Sequence, residues 1–125
     1  AFNYALSQGA SAPMWWLDIE PANSWSANTS LNDQVIQAAV DFLGGWGITV
    51  GVYSTKSWWA AIAGSGFAPD LAGQGVFPNW VPGAADAAAA RDYYCTQAKY
   101  AFGGGTVWLA QYPSGGYDGN YACPP

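Results

Sequence analysis

The chain has 125 residues, of which 51% are hydrophobic and 9% are charged. That length and composition suit a single domain that buries its own core. Three basic residues against eight acidic ones give a net charge of −5, which excludes the basic surface expected of a protein that binds nucleic acid or an anionic membrane. The absence of histidine excludes Ser-His-Asp and Cys-His nucleophilic sites and the usual histidine-containing zinc sites, so carboxylate chemistry remains.

The first predicted elements are the end of a helix over residues 1–9, closed by Gly9, and a strand over residues 14–20. The strand carries a double tryptophan, Asp18, and Glu20, which is the only glutamate in the sequence. Since successive side chains of a strand alternate between its faces, Asp18 and Glu20 should point the same way. The hydrophobic residues around them indicate a strand that is buried on both faces, as in parallel sheets.

Two carboxylates that share one face repel each other when both are ionised. The pair Asp18 and Glu20 therefore favours a retained proton on one member, which is what a general acid requires. The alternative is that both residues cap the following helix or lie in solvent. Because charges in a buried strand are costly unless they are paired or used, we expect a functional pair.

The rest of the chain continues this alternation of strands and helices. Apolar residues at helical spacing predict a helix over residues 31–43, and an alanine-rich composition predicts another over residues 84–102. The remaining predicted elements are short: a strand over 48–53, a helical turn over 57–63, and strands over 75–80 and 106–112. The tail over 115–121 is typical of a turn leading into a last short strand. This order predicts an α/β fold with a parallel sheet, of the (β/α) barrel or TIM type.

In barrels of that type the working residues lie at the C-terminal ends of the strands. Asp18 and Glu20 would lie there. So would four further residues, each near the end of its predicted strand: Tyr53, Trp80, Gln111 and Tyr112. Core packing is the alternative for each aromatic residue. Together these residues predict a cleft in which aromatic rings stack on a neutral carbohydrate while its hydroxyls form hydrogen bonds.

Cys95 and Cys123 are the only cysteines, and a single pair in an acidic, tryptophan-rich chain indicates a disulfide in an exported protein. Two buried free thiols, or a bond to a cysteine outside this sequence, are the alternatives. No apolar run reaches the roughly 20 residues that span a bilayer, and the chain does not begin with a basic, leucine-rich signal sequence. We therefore expect a mature, secreted protein with no membrane partner.

Several motifs follow one another in a defined order along the chain. They are Asp18-Ile19-Glu20 after a double tryptophan, Val50-Gly51-Val52-Tyr53-Ser54, Val107-Trp108-Leu109-Ala110-Gln111-Tyr112 and Tyr117-Asp118-Gly119-Asn120. In this order they resemble the family 25 glycoside hydrolases, which are secreted lysozyme-like muramidases. The resemblance extends along nearly the whole chain. It implies that residues 1–125 form a catalytic domain of this family, or rather the C-terminal portion of one.

The resemblance also implies roles for individual residues. Glu20 would be the general acid that protonates the glycosidic oxygen of the leaving sugar, and Asp18 would favour its protonated form. Asp118 matches the carboxylate on the family's last strand, which helps to shape the floor of the site; a turn aspartate before a glycine is the alternative. The implied substrate is peptidoglycan, cut at the β-1,4 bond after N-acetylmuramic acid. No metal and no organic cofactor is implied.

The length of the chain departs from the family pattern. A closed (β/α) barrel needs on the order of 250 residues, and the family's early strands, one of which bears a further active-site aspartate, have no counterpart here. We therefore expect a fragment, either the C-terminal half of a cleaved precursor bound to its N-terminal half or part of a longer protein. The rival functions are a non-catalytic module that binds cell-wall glycan and a structural half-barrel that self-associates through its open edge.

Overall fold

The computed structural model describes residues 1–124. They form a mixed α/β fold around a single sheet of five strands: β1 (Met14–Asp18), β2 (Thr49–Tyr53), β3 (Pro78–Pro82), β4 (Thr106–Ser114) and β5 (Tyr117–Ala122). The strands lie in the sheet in the same order as in the chain, and the sheet is curled like part of a barrel. The predicted α/β class is therefore confirmed.

The first four strands are parallel, and β5 returns antiparallel to β4. Each parallel connection contains a helical segment, as such connections require. The antiparallel return needs only a tight turn at Gly115 and Gly116, whose φ angles of 58° and 87° favour glycine. The predicted turn into a last short strand is therefore confirmed.

The helices are α1 (Phe2–Ser7), α2 (Thr29–Gly44), α3 (Lys56–Ile62) and α4 (Ala87–Ala89). The last three begin at residues whose side-chain oxygens accept a hydrogen bond from a backbone N–H of the first turn: Asn28, Thr55 and Asp86. Within residues 1–124 no helix combines the length and the apolar character needed to span a membrane.

The core lies against one face of the sheet, which we call the core face. Val50, Val52, Val81 and Ala110 are buried on this face, with relative exposures of 0–2%. Apolar side chains of α2 and α3 cover it, including Ile36 and Trp59. The helices α2 and α3 therefore bury one face of the sheet, the core face.

The predicted helix over residues 84–102 is wrong in extent. Only Ala87–Ala89 is α-helical; a π-helical turn at Ala90–Tyr94 and a 3₁₀ turn at Ala98–Tyr100 follow. The disulfide between Cys95 and Cys123, predicted from the cysteine count, is present and joins the residue after the π-helical turn to the residue after β5. Tertiary bonds at this point outweigh the helix propensity of the alanine run.

Candidate active site

The segment from Asp18 to Glu20 is fixed at the carboxyl end of β1 by bonds to the end of β2. The Ile19 N–H donates to the Tyr53 carbonyl at 2.9 Å, and the Ser54 hydroxyl donates to the Ile19 carbonyl at 2.7 Å. The Ile19 side chain is buried in the core, with 4% exposure. Since side chains alternate along an extended chain, this places Asp18 and Glu20 away from the core.

Parallel register aligns the ends of the first three strands. Asp18 lies beside Tyr53, and Tyr53 lies beside Trp80. Registered neighbours in a sheet point to the same face, so these three side chains share the face opposite the core. We call it the site face.

The last two strands add three polar residues to the site face. Gln111 pairs with Pro82, two residues beyond Trp80, and Gln111 in turn lies opposite Asn120. Asp118 is two residues before Asn120 on β5 and therefore points the same way. The structure thus brings the Asp-x-Glu segment and the late Asp118 to one face and one end of the sheet.

Two hydrogen bonds join residues from different strands across this face. The Tyr53 hydroxyl donates to the Gln111 side-chain oxygen at 3.0 Å. The Trp80 indole N–H donates to the Asn120 side-chain oxygen at 2.8 Å. These bonds hold the ends of β2, β3, β4 and β5 in a fixed relation to one another.

The charges of three carboxylates act on the Tyr53 hydroxyl. The pKa of its hydroxyl is raised above the ordinary tyrosine value, first by burial and then by the negative charges of Glu20, Asp18 and Asp118. All three carboxylates therefore act on one hydroxyl group. A phenol whose pKa is raised in this way keeps its proton at neutral pH and can donate a hydrogen bond.

Aromatic rings form a continuous row beside the carboxylates. The ring of Tyr53 lies 5.0 Å from that of Trp80 and 6.5 Å from that of Trp58, and the ring of Trp80 lies 5.7 Å from that of Trp16. These are edge-on or tilted contacts in the range typical of stable aromatic pairs. The row offers apolar ring surfaces next to acidic groups.

Of the residues predicted for the site, Tyr112 does not join the others. It follows Gln111 directly, and adjacent residues of a strand point to opposite faces. Its ring covers Gly119 on the core face and packs with a cluster that includes Ala110. The interpretation of Tyr112 as a substrate-binding residue is therefore not supported by its position, whereas Asp18, Glu20, Tyr53, Trp80, Gln111 and Asp118 share one face.

Three residues of this region were not selected from the sequence: Trp16, Trp58 and Asn120. A signal for Asn120 existed, because a two-residue turn at Gly115–Gly116 fixes the hairpin register and sets Gln111 opposite Asn120. Trp16 precedes Asp18 by two residues and shares its face by simple alternation. The contact between Trp58 and Tyr53 depends on how α3 packs against the sheet, and the periodicity of the sequence does not predict that packing.

A cavity of about 880 Å³ lies towards the other end of the strands, lined by residues that include Met14, Trp16, Trp108 and Leu109. Trp16 borders both this cavity and the aromatic row. The site face is therefore not filled by the side chains of residues 1–124. Among these residues no group of three or more aspartate, glutamate, cysteine or histidine side chains has the arrangement of a metal site.

Comparison with known proteins shows which family the chain belongs to. The family described as lysozyme-like protein 1 matches residues 1–71, which include Asp18, Glu20 and Tyr53. The chain belongs to this lysozyme-like family. No solved structure gives a significant match.

Two curated relatives come from Dictyostelium discoideum. "Probable GH family 25 lysozyme 3" is 38% identical over 66 residues, which are 52% of this chain and 13% of the relative. "Probable GH family 25 lysozyme 4" is 33% identical over 78 residues, which are 62% of this chain and 34% of the relative. The resemblance to family 25 glycoside hydrolases is thereby confirmed, while the matched part spans at most about a third of either relative.

Proposed function

We propose that this lysozyme-like chain carries the active site of a secreted glycoside hydrolase that cleaves β-1,4 bonds of peptidoglycan. The observation that carries this proposal is that Asp18, Glu20 and Asp118 share one face at one end of the sheet, together with Tyr53 and a row of aromatic rings. The names of the two relatives, both family 25 lysozymes, support the same reaction class. The disulfide supports an exported protein, since such bonds persist in oxidising compartments.

In this mechanism Glu20 is the general acid. It gives its proton to the glycosidic oxygen as the bond to the leaving sugar breaks. Its backbone is anchored, because the Trp25 indole N–H donates to the Glu20 carbonyl at 2.9 Å. A fixed backbone limits the positions that the carboxyl group can take, which favours a defined path for the proton.

Asp18 and Asp118 supply negative charge on the same face of the sheet as Glu20. Glycoside hydrolysis passes through a transition state with positive charge on the sugar ring. Carboxylates that are already in place stabilise that charge without rearrangement. Tyr53 stays neutral and directs its hydroxyl towards Gln111.

The aromatic row is suited to a neutral sugar chain. The apolar faces of sugar rings pack on aromatic side chains, and the polar groups around them bond the hydroxyls. None of the three basic residues of the chain lies on a strand of the sheet, so none of them favours an anionic ligand there. Because the rings of Trp80 and Tyr53 lie on the same face as Asp18, we propose that they contact the glycan directly.

The test is the replacement of Glu20 by glutamine in the native protein, assayed by release of reducing ends from peptidoglycan. We expect a loss of at least about 100-fold, because glutamine has no proton to give at this position. Asp41→Asn is the matched control, since Asp41 is an exposed carboxylate of α2. Circular dichroism and thermal unfolding should show that both variants fold.

Full activity of Glu20→Gln would refute the assignment of the acid. If the unchanged protein binds peptidoglycan but releases no product, the alternative of a non-catalytic glycan-binding module becomes the better account. Loss of activity in both Glu20→Gln and Asp41→Asn would indicate a general effect of removing charge and would also contradict the proposed role.

We propose further that the curled sheet is part of a (β/α) barrel of TIM type. The edge strands β1 and β5 each have one side without a partner strand among residues 1–124, and a barrel would close them. Intact mass measured under native and denaturing conditions tests this. A companion polypeptide or a longer chain supports a closed barrel, whereas a lone 13.1 kDa species argues for self-association or an open sheet.

A further inference from the structure

Asn120 has an orientation that the chemistry of its partner determines. The indole N–H of Trp80 can only donate, so the atom that it meets at 2.8 Å must be the side-chain oxygen of Asn120. The amide nitrogen of Asn120 then points away from Trp80. Within residues 1–124 this nitrogen has no hydrogen-bond partner, and the residue is exposed.

Gln111 has the same arrangement one strand away. Its side-chain oxygen accepts the bond from the Tyr53 hydroxyl, which leaves its amide nitrogen without a partner in the described part of the chain. The raised pKa of Tyr53, due first to burial and then to the charges of three carboxylates, keeps the hydroxyl in its donating form. Gln111 therefore also presents N–H donors.

The two amides lie side by side. Gln111 and Asn120 are direct partners in the antiparallel register of β4 and β5, a position in which Cβ atoms are about 4.5–5.5 Å apart. Both belong to the site face, and Asp118 lies two residues from Asn120. Each amide uses its oxygen on an aromatic residue two strands away, which leaves both amide nitrogens free to donate to a ligand.

The charge around this pair limits the ligand. The basic residues lie elsewhere: Lys56 begins α3, Arg91 is paired with Asp92, and Lys99 lies over the ring of Tyr100. An anionic ligand group would meet three carboxylates and no cation on the site face. A neutral acceptor avoids this repulsion, and a carbonyl oxygen has two lone pairs that can accept from two N–H groups at once.

We propose that Gln111 and Asn120 form a donor pair that recognises the carbonyl oxygen of an acetamido substituent on the sugar. This inference rests on the proposed function and assigns a specificity role within that site. Because a hydroxyl in the same position could accept but would lack the projecting carbonyl, the pair discriminates between an N-acetylated sugar and one that carries a hydroxyl there.

Binding of two neutral oligosaccharides tests the proposal: chitotetraose, which carries acetamido groups, and cellotetraose, which carries hydroxyls. Calorimetry would be done on the native protein with Glu20→Gln, so that neither sugar is cleaved. Asn120→Asp and Gln111→Glu are then added separately. Each keeps an oxygen that can accept from Trp80 or Tyr53 and removes the amide donors, but it also adds a negative charge, which requires a control.

We expect the Glu20→Gln protein to prefer chitotetraose and each added variant to reduce that preference about fivefold, the effect of one lost neutral hydrogen bond. Asn3→Asp, an exposed residue on α1, adds the same charge far from the site and should leave the preference unchanged. Gln111→Met removes the donors without adding charge and should lower the preference as Gln111→Glu does.

An unchanged preference in Asn120→Asp and Gln111→Glu, or an equal loss of affinity for both sugars, would overturn the proposal. So would the absence of binding to either sugar by a folded protein. The proposed reaction is judged separately, by peptidoglycan cleavage in the unchanged protein. Cleavage without acetamido selectivity would leave the reaction standing and remove the donor pair.

Discussion

The hydroxyl of Tyr53 donates a hydrogen bond to the side-chain oxygen of Gln111, 3.0 Å away and 58 positions later in the chain. The bond spans from β2 to β4 across the end of β3. It connects the half of the chain that holds Asp18 and Glu20 with the half that holds Asp118. A site assembled from such distant segments depends on the register of the whole sheet.

Titration of Tyr53 should report the charges of the three carboxylates directly. Its pKa should lie above the ordinary tyrosine value of about 10, because burial and the charges of Glu20, Asp18 and Asp118 all favour the neutral phenol. Glu20→Gln should lower it most, followed by Asp18→Asn and then Asp118→Asn. NMR of ¹³Cζ-labelled tyrosine, with Tyr53→Phe to assign the signal, measures each pKa.

The same shift predicts the response of stability to alkaline pH. A folded pKa above the unfolded one contributes stability that is fully present below about pH 10 and is lost as pH rises through the folded value. Tyr53→Phe should lack this component, so its unfolding free energy should fall less than that of the unchanged protein above pH 10. Equal alkaline losses in both proteins would contradict a raised pKa.

Gly51 permits the close approach of the Trp16 ring. A Cβ atom at position 51 would collide with ring atoms of Trp16 and would come within 2.9 Å of the Met14 Cε. We expect Gly51→Ala to lower the free energy of unfolding by about 1–3 kcal/mol, the usual cost of overpacking. Urea denaturation followed by circular dichroism measures this loss.

Gly66→Ala provides the control for Gly51→Ala. No atom lies within 4 Å of a Cβ placed at Gly66, and its φ angle is not in the left-handed region. That variant should be neutral or stabilise by up to about 1 kcal/mol through the unfolded chain. Similar losses of unfolding free energy for Gly51→Ala and Gly66→Ala would show that contact with Trp16 is not the reason why Gly51→Ala is destabilising.

The disulfide between Cys95 and Cys123 closes a loop with a sequence separation of 28. Loop-closure entropy assigns such a bond about 3–4 kcal/mol of stability. Reduction of the native protein should therefore lower the unfolding free energy by that order. The Cys95→Ala, Cys123→Ala double variant should show the same loss and no further response to reductant.

The sequence allowed prediction of most strands and of six residues on the site face because both depend on local pattern. Alternation alone orients Asp18 against Ile19, and Ile19 is indeed buried at 4% exposure. The same rule, applied to Gln111 and Tyr112, would have separated them. The prediction of both as substrate-binding residues treated two adjacent strand residues as one lining.

The boundaries of β3 could not be predicted because side chains replace backbone pairing there. The predicted strand began at Gly75, whereas β3 begins at Pro78. The Gln74 side chain bonds both the N–H and the carbonyl of Val50, at 2.7 and 2.9 Å, in the place that a neighbouring strand would occupy. Such a substitution depends on tertiary contact and leaves no periodic signal in the sequence.

Asn32 holds together three parts of the chain that support the site. Its side chain accepts from the Ser26 N–H at 3.0 Å and donates to the carbonyls of Ser26 and Ile62 at 2.9 and 2.8 Å. The residue is only 3% exposed. It therefore fixes the loop after β1 to the start of α2 and to the end of α3.

Asn32→Asp should destabilise the protein by at least about 2 kcal/mol at pH 7, because two buried carbonyls lose their donor and face a carboxylate instead. Burial and these carbonyls should raise the pKa of the new carboxyl in the folded state above its unfolded value of about 3.9. The loss should accordingly be smallest below about pH 4 and grow as pH rises through the folded pKa.

Urea denaturation at several pH values measures this dependence of the unfolding free energy of Asn32→Asp on pH. Asn32→Ala should be destabilised without the added pH dependence, and Asn3→Asp should change little at any pH. A pH-independent loss in Asn32→Asp would mean that the carboxylate reaches solvent and that Asn32 is not a buried link between these segments.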